Sequence, residues 1–162
     1  KYGSEFTFMA DAEIKNVVKP TIEFLKDSTI GSRRYLKIVI TPNRKVNRYD
    51  IFSNFEISNL KANGVKSIDL ESKISGKVGN KILSYYVVDN MPLELQFSIS
   101  SSEKLDMNLV ESSFDLMTNP LFSMAKRRDW MIPTPFVLTD AVIIKQKVKP
   151  TPIISSNLAN EF

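Results

Sequence analysis

The sequence predicts an all-β fold, an antiparallel β-sandwich of about eight or nine strands, and two observations support this. Apolar and polar residues alternate strictly from Leu93 to Ser100, which is typical of a strand with one face on a core and one in water. Short segments rich in β-branched and aromatic residues recur at roughly 8- to 15-residue spacing with turn signals between them. A closed barrel is the alternative architecture. The clean alternation argues against a doubly wound parallel sheet, whose strands are apolar on both faces.

Nine segments of the chain fit this pattern. Thr41-Pro42 closes the second of them, and Asn63-Gly64, a strong two-residue hairpin signal, precedes the fifth. In chain order the predicted strands are Thr21–Leu25, Tyr35–Ile40, Arg48–Phe52, Phe55–Leu60, Val65–Leu70, Ile82–Val88, Leu93–Ser100, Met107–Phe114 and Ala141–Val148.

The alternation also predicts which side chains point inward. In the strand from Leu93 to Ser100 we expect the four apolar side chains to face the core. The intervening Glu94, Gln96, Ser98 and Ser100 should face solvent. Few segments have helical periodicity, and the best candidate is Pro120–Lys126, as one or two turns.

The chain of 162 residues fits one ordinary domain, and its 43% hydrophobic and 25% charged residues are normal for a globular protein. We assign the sandwich to residues 14–150 and a flexible C-terminal tail to residues 151–162. Residues 1–13 are interpreted as a tag or disordered leader, because Gly3–Phe6 resembles a cloning remnant. No apolar run approaches the roughly 18 to 20 residues of a membrane helix, and no signal peptide is visible.

The composition excludes much chemistry, because the chain has no histidine and no cysteine. Ser-His-Asp and Cys-His nucleophile pairs, zinc sites of the usual His/Cys kind and disulfides are therefore ruled out. We expect no catalytic residue, no metal ligand and no cofactor in this chain, which is predicted not to be an enzyme by itself. The lack of cysteine fits a reducing cytoplasm and equally an exported domain.

Two groups of motif matches are interpreted as coincidence. Ser58–Lys61 and Ser101–Lys104 match Ser-x-x-Lys, but the motif needs a helix, and neither lies in a helical pattern. Gly76–Lys81 combines glycine and lysine without the full phosphate-loop pattern, so it is interpreted as a hairpin connection. A cryptic hydrolase built on serine or carboxylates is the third and weakest of our functional hypotheses.

Acidic residues suggest little more. Asp69 with Glu71, and Asp106 with Glu111, are possible catalytic pairs by residue type, but nothing singles them out, and we favour their interpretation as solvated residues on strand faces. The dense acidic stretch Asp11–Glu13 is too short for a calcium loop, so we expect no bound metal.

A basic and aromatic cluster is the most conspicuous local feature, and it is our candidate interaction surface: Lys126, Arg127, Arg128 and Trp130. Arginine and tryptophan are favoured at binding hot spots, and a basic-aromatic pair also suits lipid headgroups or single-stranded nucleic acid. The plainer interpretation, which we favour here, is that Trp130 covers one end of the sandwich while its basic neighbours stay solvated. The net charge of +4 is too mild to indicate a nucleic-acid partner. Weaker basic spots of the same kind are Arg33-Arg34 and Arg44-Lys45 with Arg48.

Three segments carry a resemblance to a known family: Val39–Arg48 (VITPNRKVNR), Asp89–Leu95 (DNMPLEL) and Asp129–Lys145 (DWMIPTPFVLTDAVIIK). They resemble the C-terminal, extracytoplasmic region of large bacterial membrane-bound metallopeptidases, the di-zinc aminopeptidases described as vacuolar-membrane-protease-like. In that family a zinc peptidase domain is followed by several membrane helices and then by a β-rich domain. The resemblance covers roughly residues 14 to 150.

The resemblance implies an accessory domain. The zinc ligands of the family lie in the peptidase domain, so zinc is expected there and none of its ligands can be carried over to this chain. The implied partners are the peptidase and membrane domains of the same parent chain, with no nucleic acid and no small-molecule cofactor. The implied location is the extracytoplasmic (periplasmic) side of a bacterial membrane, where the domain would serve packing, assembly or substrate positioning.

The alternative function is a free-standing carbohydrate-binding or adhesion-type sandwich module. Such a module would present several exposed aromatic side chains on a concave face. Tyr49, Tyr85 and Tyr86 are the residues that would supply them.

Overall fold

The computed structural model describes residues 10–66, 80–132 and 139–149. Within these ranges the chain forms nine β-strands and no α-helix. The strands are β1 (Thr21–Ile30), β2 (Arg33–Thr41), β3 (Arg48–Ser53), β4 (Ser58–Ala62), β5 (Val65–Lys66), β6 (Lys81–Tyr86), β7 (Leu93–Ser100), β8 (Met107–Ser113) and β9 (Val142–Lys147).

The strands form two antiparallel sheets, which confirms the predicted sandwich. One sheet has the order β1-β2-β7-β4-β5, and the other has the order β6-β3-β8-β9. Their inner faces share one apolar core, to which Ile38 and Leu95 contribute from the first sheet and Ile51 and Leu109 from the second. Two separate sheets with four edge strands are a sandwich and not a closed barrel.

The alternation along β7 is as predicted, with one exception. Leu93, Leu95 and Ile99 are buried in the core, but the prediction that Ser98 faces solvent is wrong. Ser98 is buried because Arg33 extends over it from the neighbouring strand and donates a hydrogen bond to its Oγ atom at 3.0 Å. A long side chain on an adjacent strand thus shields a small polar one.

Three strands, β1, β4 and β5, differ most from the predicted boundaries. β1 continues to Ile30 through a polar stretch that pairs with β2 despite lacking apolar alternation. β4 begins at Ser58, because Ser53 Oγ accepts the N–H of Phe55 and donates to its carbonyl, which turns the chain before the strand. β5 is described as Val65–Lys66, and the rest of that predicted strand lies outside the described residues.

The hairpin between β4 and β5 is confirmed. Asn63 and Gly64 both adopt positive φ, 47° and 80°, as a two-residue turn that matches the twist of its strands requires.

The helix predicted over Pro120–Lys126 does not form. Residues 120 and 121 lie in a turn, and the chain then continues without regular structure. Asn119 shapes the turn, since its side-chain oxygen accepts the N–H of Leu121 and its carbonyl accepts the N–H of Phe122. Leu121 and Met124 are exposed, so a helix here would pack no apolar face, and a short helix without such packing is unstable in water.

The sandwich has two chemically different ends. The turn at residues 31–32 and the loops 54–57 and 101–106 lie at one end, which we call the polar end. The loops 42–47 and 87–92, the turn at 63–64 and the β8–β9 connection, described at 114–132 and 139–141, lie at the other, the apolar end.

All nine strands fall between residues 21 and 147, inside the predicted domain. Residues 10–20 have no regular structure. Most of the predicted leader and tail lies outside the described residues, as do Asp69, Glu71 and Gly76–Gly79.

Candidate interaction surface

The four residues of the predicted surface lie in the β8–β9 connection at the apolar end. The expectation that Trp130 covers the end of the sandwich is wrong, because its side chain is 71% exposed. A turn in which the N–H of Met131 donates to the carbonyl of Arg128 places Trp130 on the surface. The Arg128 guanidinium lies over the indole ring, 5.9 Å from its centroid, a cation–π geometry.

Arg127 differs from its neighbours, because it is held by an intramolecular partner. Its Nη2 atom lies 2.6 Å from both carboxylate oxygens of Asp140. The Asp140 carbonyl also accepts the N–H of Leu116, so Asp140 ties the start of the connection to its end. Arg127 therefore fixes the loop, whereas Lys126, Arg128 and Trp130 are the members exposed to solvent.

Apolar side chains extend this surface beyond the predicted four residues. Met131 and Ile132 follow Trp130 directly, and Ile132 is 84% exposed. Leu121 and Met124 are exposed in the same connection. We did not predict these residues, although an aperiodic segment with several large apolar residues was the signal that could have indicated them.

A second group of exposed apolar residues lies at the same end. It comprises Tyr86, Val88 and Met91 around the β6–β7 loop and Phe114 at the end of β8. Asn47 links these two elements: its carbonyl accepts the N–H of Val87 at 2.9 Å, and its side-chain oxygen accepts the N–H of Phe114 at 2.8 Å. Asn47 thereby fixes the position of the β6–β7 loop relative to the end of β8.

Beneath these loops lies a buried ion pair. Glu111 is on the core-facing side of β8, only 1% exposed, and accepts a hydrogen bond from Arg44 Nε at 2.7 Å. Arg44 also donates to Ser113 Oγ and, at 3.5 Å, to the carbonyl of Val142, so it joins the β2–β3 loop to β8 and β9. Burial raises the pKa of the Glu111 carboxyl, and the charge and hydrogen bond of Arg44 oppose this only in part.

Two polar atoms in this cluster have no hydrogen-bond partner among the described residues, the Glu111 Oε2 atom and the hydroxyl of Tyr49. Tyr49 lies directly opposite Glu111 on β3, and burial together with the nearby carboxylate raises the pKa of its hydroxyl. A buried ion pair of this kind does more to fix how the neighbouring loop and strands are arranged than to increase the net stability of the fold.

Of the two carboxylate pairs considered from the sequence, Asp106 with Glu111 does not form, and Asp69 with Glu71 lies outside the described residues. Asp106 precedes β8 at the polar end, where it binds Asn54 and Lys147. Glu111 lies toward the other end of the same strand, inside the core. The two groups face different surroundings and do not share a site.

A second buried carboxylate, Asp50, lies on the outer face of the four-stranded sheet. It accepts hydrogen bonds from Arg48 at 2.8 Å and Ser84 at 2.6 Å. Burial alone would raise the pKa of Asp50, but these hydrogen bonds and the charges of Arg48 and Lys81 outweigh burial and lower the pKa below its usual value. The four arginines of the weaker basic spots predicted from the sequence therefore have internal partners: Arg33 with Ser98, Arg34 with Asp27, Arg44 with Glu111, and Arg48 with Asp50. Lys45, the fifth residue of these spots, is exposed.

The three tyrosines that a carbohydrate-binding face would need are not presented together. Tyr49 is buried in the core, and Tyr85 is half-buried with its hydroxyl accepting a hydrogen bond from Asn63. Tyr86 is exposed, with the Arg48 guanidinium 5.5 Å from its ring centroid.

The remaining motifs have no helical context in the structure. Ser58–Lys61 lies on β4, and Ser101–Lys104 lies in the β7–β8 loop. Among residues 10–66, 80–132 and 139–149, acidic side chains form no cluster of three or more that could hold a metal ion. The same ranges contain no helix with the length and hydropathy needed to cross a membrane.

Comparisons with protein-family models, with curated proteins and with solved structures found no match for this chain.

Proposed function

We propose that this chain is the non-catalytic accessory sandwich of a membrane-anchored zinc metallopeptidase of the aminopeptidase type, and that its apolar end faces the rest of the parent protein. The domain acts there through its surface, in domain packing, assembly or substrate positioning. Its place is the extracytoplasmic side of the membrane, and the zinc belongs to the peptidase domain.

The convergence of the three family-like segments is the observation that carries this proposal. Val39–Arg48 supplies the β2–β3 loop, Asp89–Leu95 supplies the β6–β7 loop, and Asp129–Lys145 supplies the end of the β8–β9 connection. These segments are far apart in the sequence, yet all three contribute to the apolar end.

Hydrogen bonds join these segments directly. The N–H of Val46 donates to the side-chain oxygen of Asn90 at 3.0 Å, which links the first segment to the second. Arg44 reaches the carbonyl of Val142 and links the first segment to the third. The residues by which the chain resembles the family thus form one structural unit and are not scattered over the domain.

The distribution of exposed apolar side chains supports the same orientation. Val88, Met91 and Phe114 are exposed at the apolar end, whereas Ile30 is the large apolar residue exposed at the loops described for the polar end. Exposed apolar surface of this kind marks contact sites.

The reading frame that encodes this chain provides the first test. We expect it to encode a peptidase domain with His, Asp and Glu zinc ligands and several membrane helices ahead of this domain. A complete reading frame without them would overturn the proposal.

The parent protein then allows a direct test of the contact. A photo-crosslinking residue at Val88 should give cross-links to the other domains of the parent, whereas the same residue at Ile30 should give none. Equal yields from both positions would contradict the orientation. The isolated chain should hydrolyse no aminopeptidase substrate, with or without zinc, and turnover that is lost on Ser101→Ala would overturn its non-catalytic assignment.

A further inference from the structure

We propose that the segment from Arg128 to Ile132, the tip segment, inserts into the interface of a bilayer that contains anionic lipids. Three consecutive large apolar side chains, Trp130, Met131 and Ile132, are exposed there. Single exposed apolar residues are ordinary, but a contiguous exposed run of them indicates a contact surface.

The composition of the tip segment fits the bilayer interface. Tryptophan is enriched at the boundary between headgroups and hydrocarbon, where an amphipathic ring has its apolar body in one medium and its N–H in the other. Met131 and Ile132 offer further apolar surface beside it. The arrangement therefore places a hydrophobic group at the depth where lipid chains begin.

The charges around the tip segment suit anionic headgroups. Arg128 is held over the Trp130 ring by a cation–π contact, so its charge stays beside the inserting side chain. Lys126 is exposed nearby, and Lys45 is exposed on the β2–β3 loop at the same end. Asp129 and Asp89 reduce the net positive charge, so the apolar contact should dominate and anionic lipid should strengthen it moderately.

The small extent of the tip segment favours a bilayer over a folded protein as its occupant. Its exposed apolar side chains are three consecutive residues, Trp130 to Ile132, on a different loop from Val88 and Met91. A protein interface needs a continuous complementary surface of several hundred Å² on each partner. A fluid bilayer receives a short protruding run of side chains without such complementarity.

The tip segment is anchored at its N-terminal side. Arg127 binds Asp140 through both carboxylate oxygens, and Asp140 holds Leu116 at the start of the connection. Since Arg127 directly precedes the tip segment, its ion pair limits the conformational entropy that this end of the segment loses on entering the interface.

Trp130 is the only tryptophan in the chain, so its fluorescence reports on the tip segment alone. The full 162-residue chain is titrated with vesicles of phosphatidylcholine and phosphatidylglycerol, and with vesicles of phosphatidylcholine only. We expect the emission of Trp130 to shift to shorter wavelength and to be quenched by brominated lipid chains, with tighter binding to the anionic vesicles.

A matched pair of variants locates the contact. Ile132→Ser should weaken vesicle binding about tenfold, which corresponds to losing the insertion of one large aliphatic side chain. Ile30→Ser, at the polar end, removes an isoleucine that is 68% exposed and should leave binding unchanged. Circular dichroism of both variants checks that the sandwich is intact.

Three outcomes would overturn this inference. They are an unchanged Trp130 emission with both kinds of vesicle, equal weakening by the two substitutions, and a blue shift that depends on protein concentration without lipid. The last would assign the surface to a second copy of the chain. The vesicle assay needs no parent protein, so its failure leaves the accessory-domain proposal standing, and a reading frame without a peptidase leaves the lipid contact standing.

Discussion

The two ends of the sandwich differ in which groups they expose and which they bury. At the polar end, charged and amide groups meet at the surface: Lys147 pairs with Asp106, and Asn54 donates to the same carboxylate. At the apolar end, the ion pair of Arg44 and Glu111 is buried, and large apolar side chains are outside. The polar end follows the ordinary rule for a soluble domain, and the apolar end inverts it.

The inversion shows how a small domain can hold an apolar surface in water. Exposed apolar loops would collapse onto the sheets if nothing directed them outward. Arg44 and Asn47 give the backbone of these loops fixed hydrogen-bond partners, so the loops keep their position without packing their own side chains. Buried polar groups therefore support an exposed apolar surface.

The largest expected effect comes from breaking the buried pair. Arg44→Ala leaves the Glu111 carboxylate buried without its partner and should lower the free energy of unfolding by about 3–5 kcal/mol. Lys147→Ala removes the cation of the exposed pair at the polar end, and its effect on urea denaturation should be far smaller.

A double-mutant cycle sharpens this comparison. In a Glu111→Gln background no charge remains to be stranded, so Arg44→Ala should be less destabilising there. The same loss of stability in both backgrounds would show that the two side chains are not coupled.

The two ends should also respond to pH in opposite senses. The pKa of Glu111 is raised above its ordinary value of 4.5 by burial. Its contribution to stability is therefore fully present below that value and is lost as the pH rises through the higher folded pKa. Compared with Glu111→Gln, the wild-type chain should lose stability as the pH rises above 4.5.

The carboxyl of Asp106 behaves in the opposite way. Hydrogen bonds from Lys147 and Asn54 lower the pKa of Asp106 below 3.8, so its contribution is present above that value and is lost as the pH falls through the folded pKa. The wild-type chain should therefore lose stability as the pH falls below 3.8, and Asp106→Asn should remove this pH dependence. Chemical denaturation at a series of pH values measures the free energy of unfolding of the wild type and of both variants. Parallel pH profiles for Glu111→Gln and Asp106→Asn would contradict the opposite behaviour of the two carboxyls.

A smaller effect is expected where two loops are joined. Asn47→Ala removes the side-chain acceptor for the N–H of Phe114 and should destabilise the chain by about 1 kcal/mol. Asn47→Asp keeps an acceptor at that position and should retain most of the stability. Slower hydrogen exchange at the Phe114 amide in the wild type than in the alanine variant would confirm the assignment.

The smallest expected effects on folding are those of the surface variants. Ile132→Ser and Ile30→Ser should each change the free energy of unfolding by less than about 0.5 kcal/mol, since both side chains are exposed. A larger loss for Ile132→Ser in thermal denaturation would mean that the tip segment packs against the fold and is not free to bind.

Local alternation made the strands predictable from the sequence. Leu93 to Ser100 has one apolar and one polar face, and the Asn63-Gly64 turn has the residues that its positive φ values require. Ser98 could not be placed correctly, because its burial depends on Arg33 in another strand. The helix over Pro120–Lys126 failed for a related reason: its apolar residues Leu121 and Met124 are exposed, so the described part of the fold gives it no face to pack on.

The candidate surface was predictable only in part. Trp130 and Arg128 are conspicuous by residue type, but their exposure depends on a loop conformation that no local pattern specifies. The buried position of Glu111 was indicated by the continued alternation of Met107 and Leu109 on the core face of β8. A charged residue in that series was interpreted as solvated, because its partner Arg44 lies 67 positions away in the sequence.

The edge strand β1 has a further consequence for the behaviour of the protein at high concentration. Its pairing with β2 slips by one position between Phe24 and Lys26, and Leu25 is left as a bulge. A foreign strand that tried to extend the sheet along this edge would lose register at the bulge and then meet the charges of Lys26 and Asp27. The longest open ladder in the described part of the molecule is therefore protected against edge-to-edge aggregation.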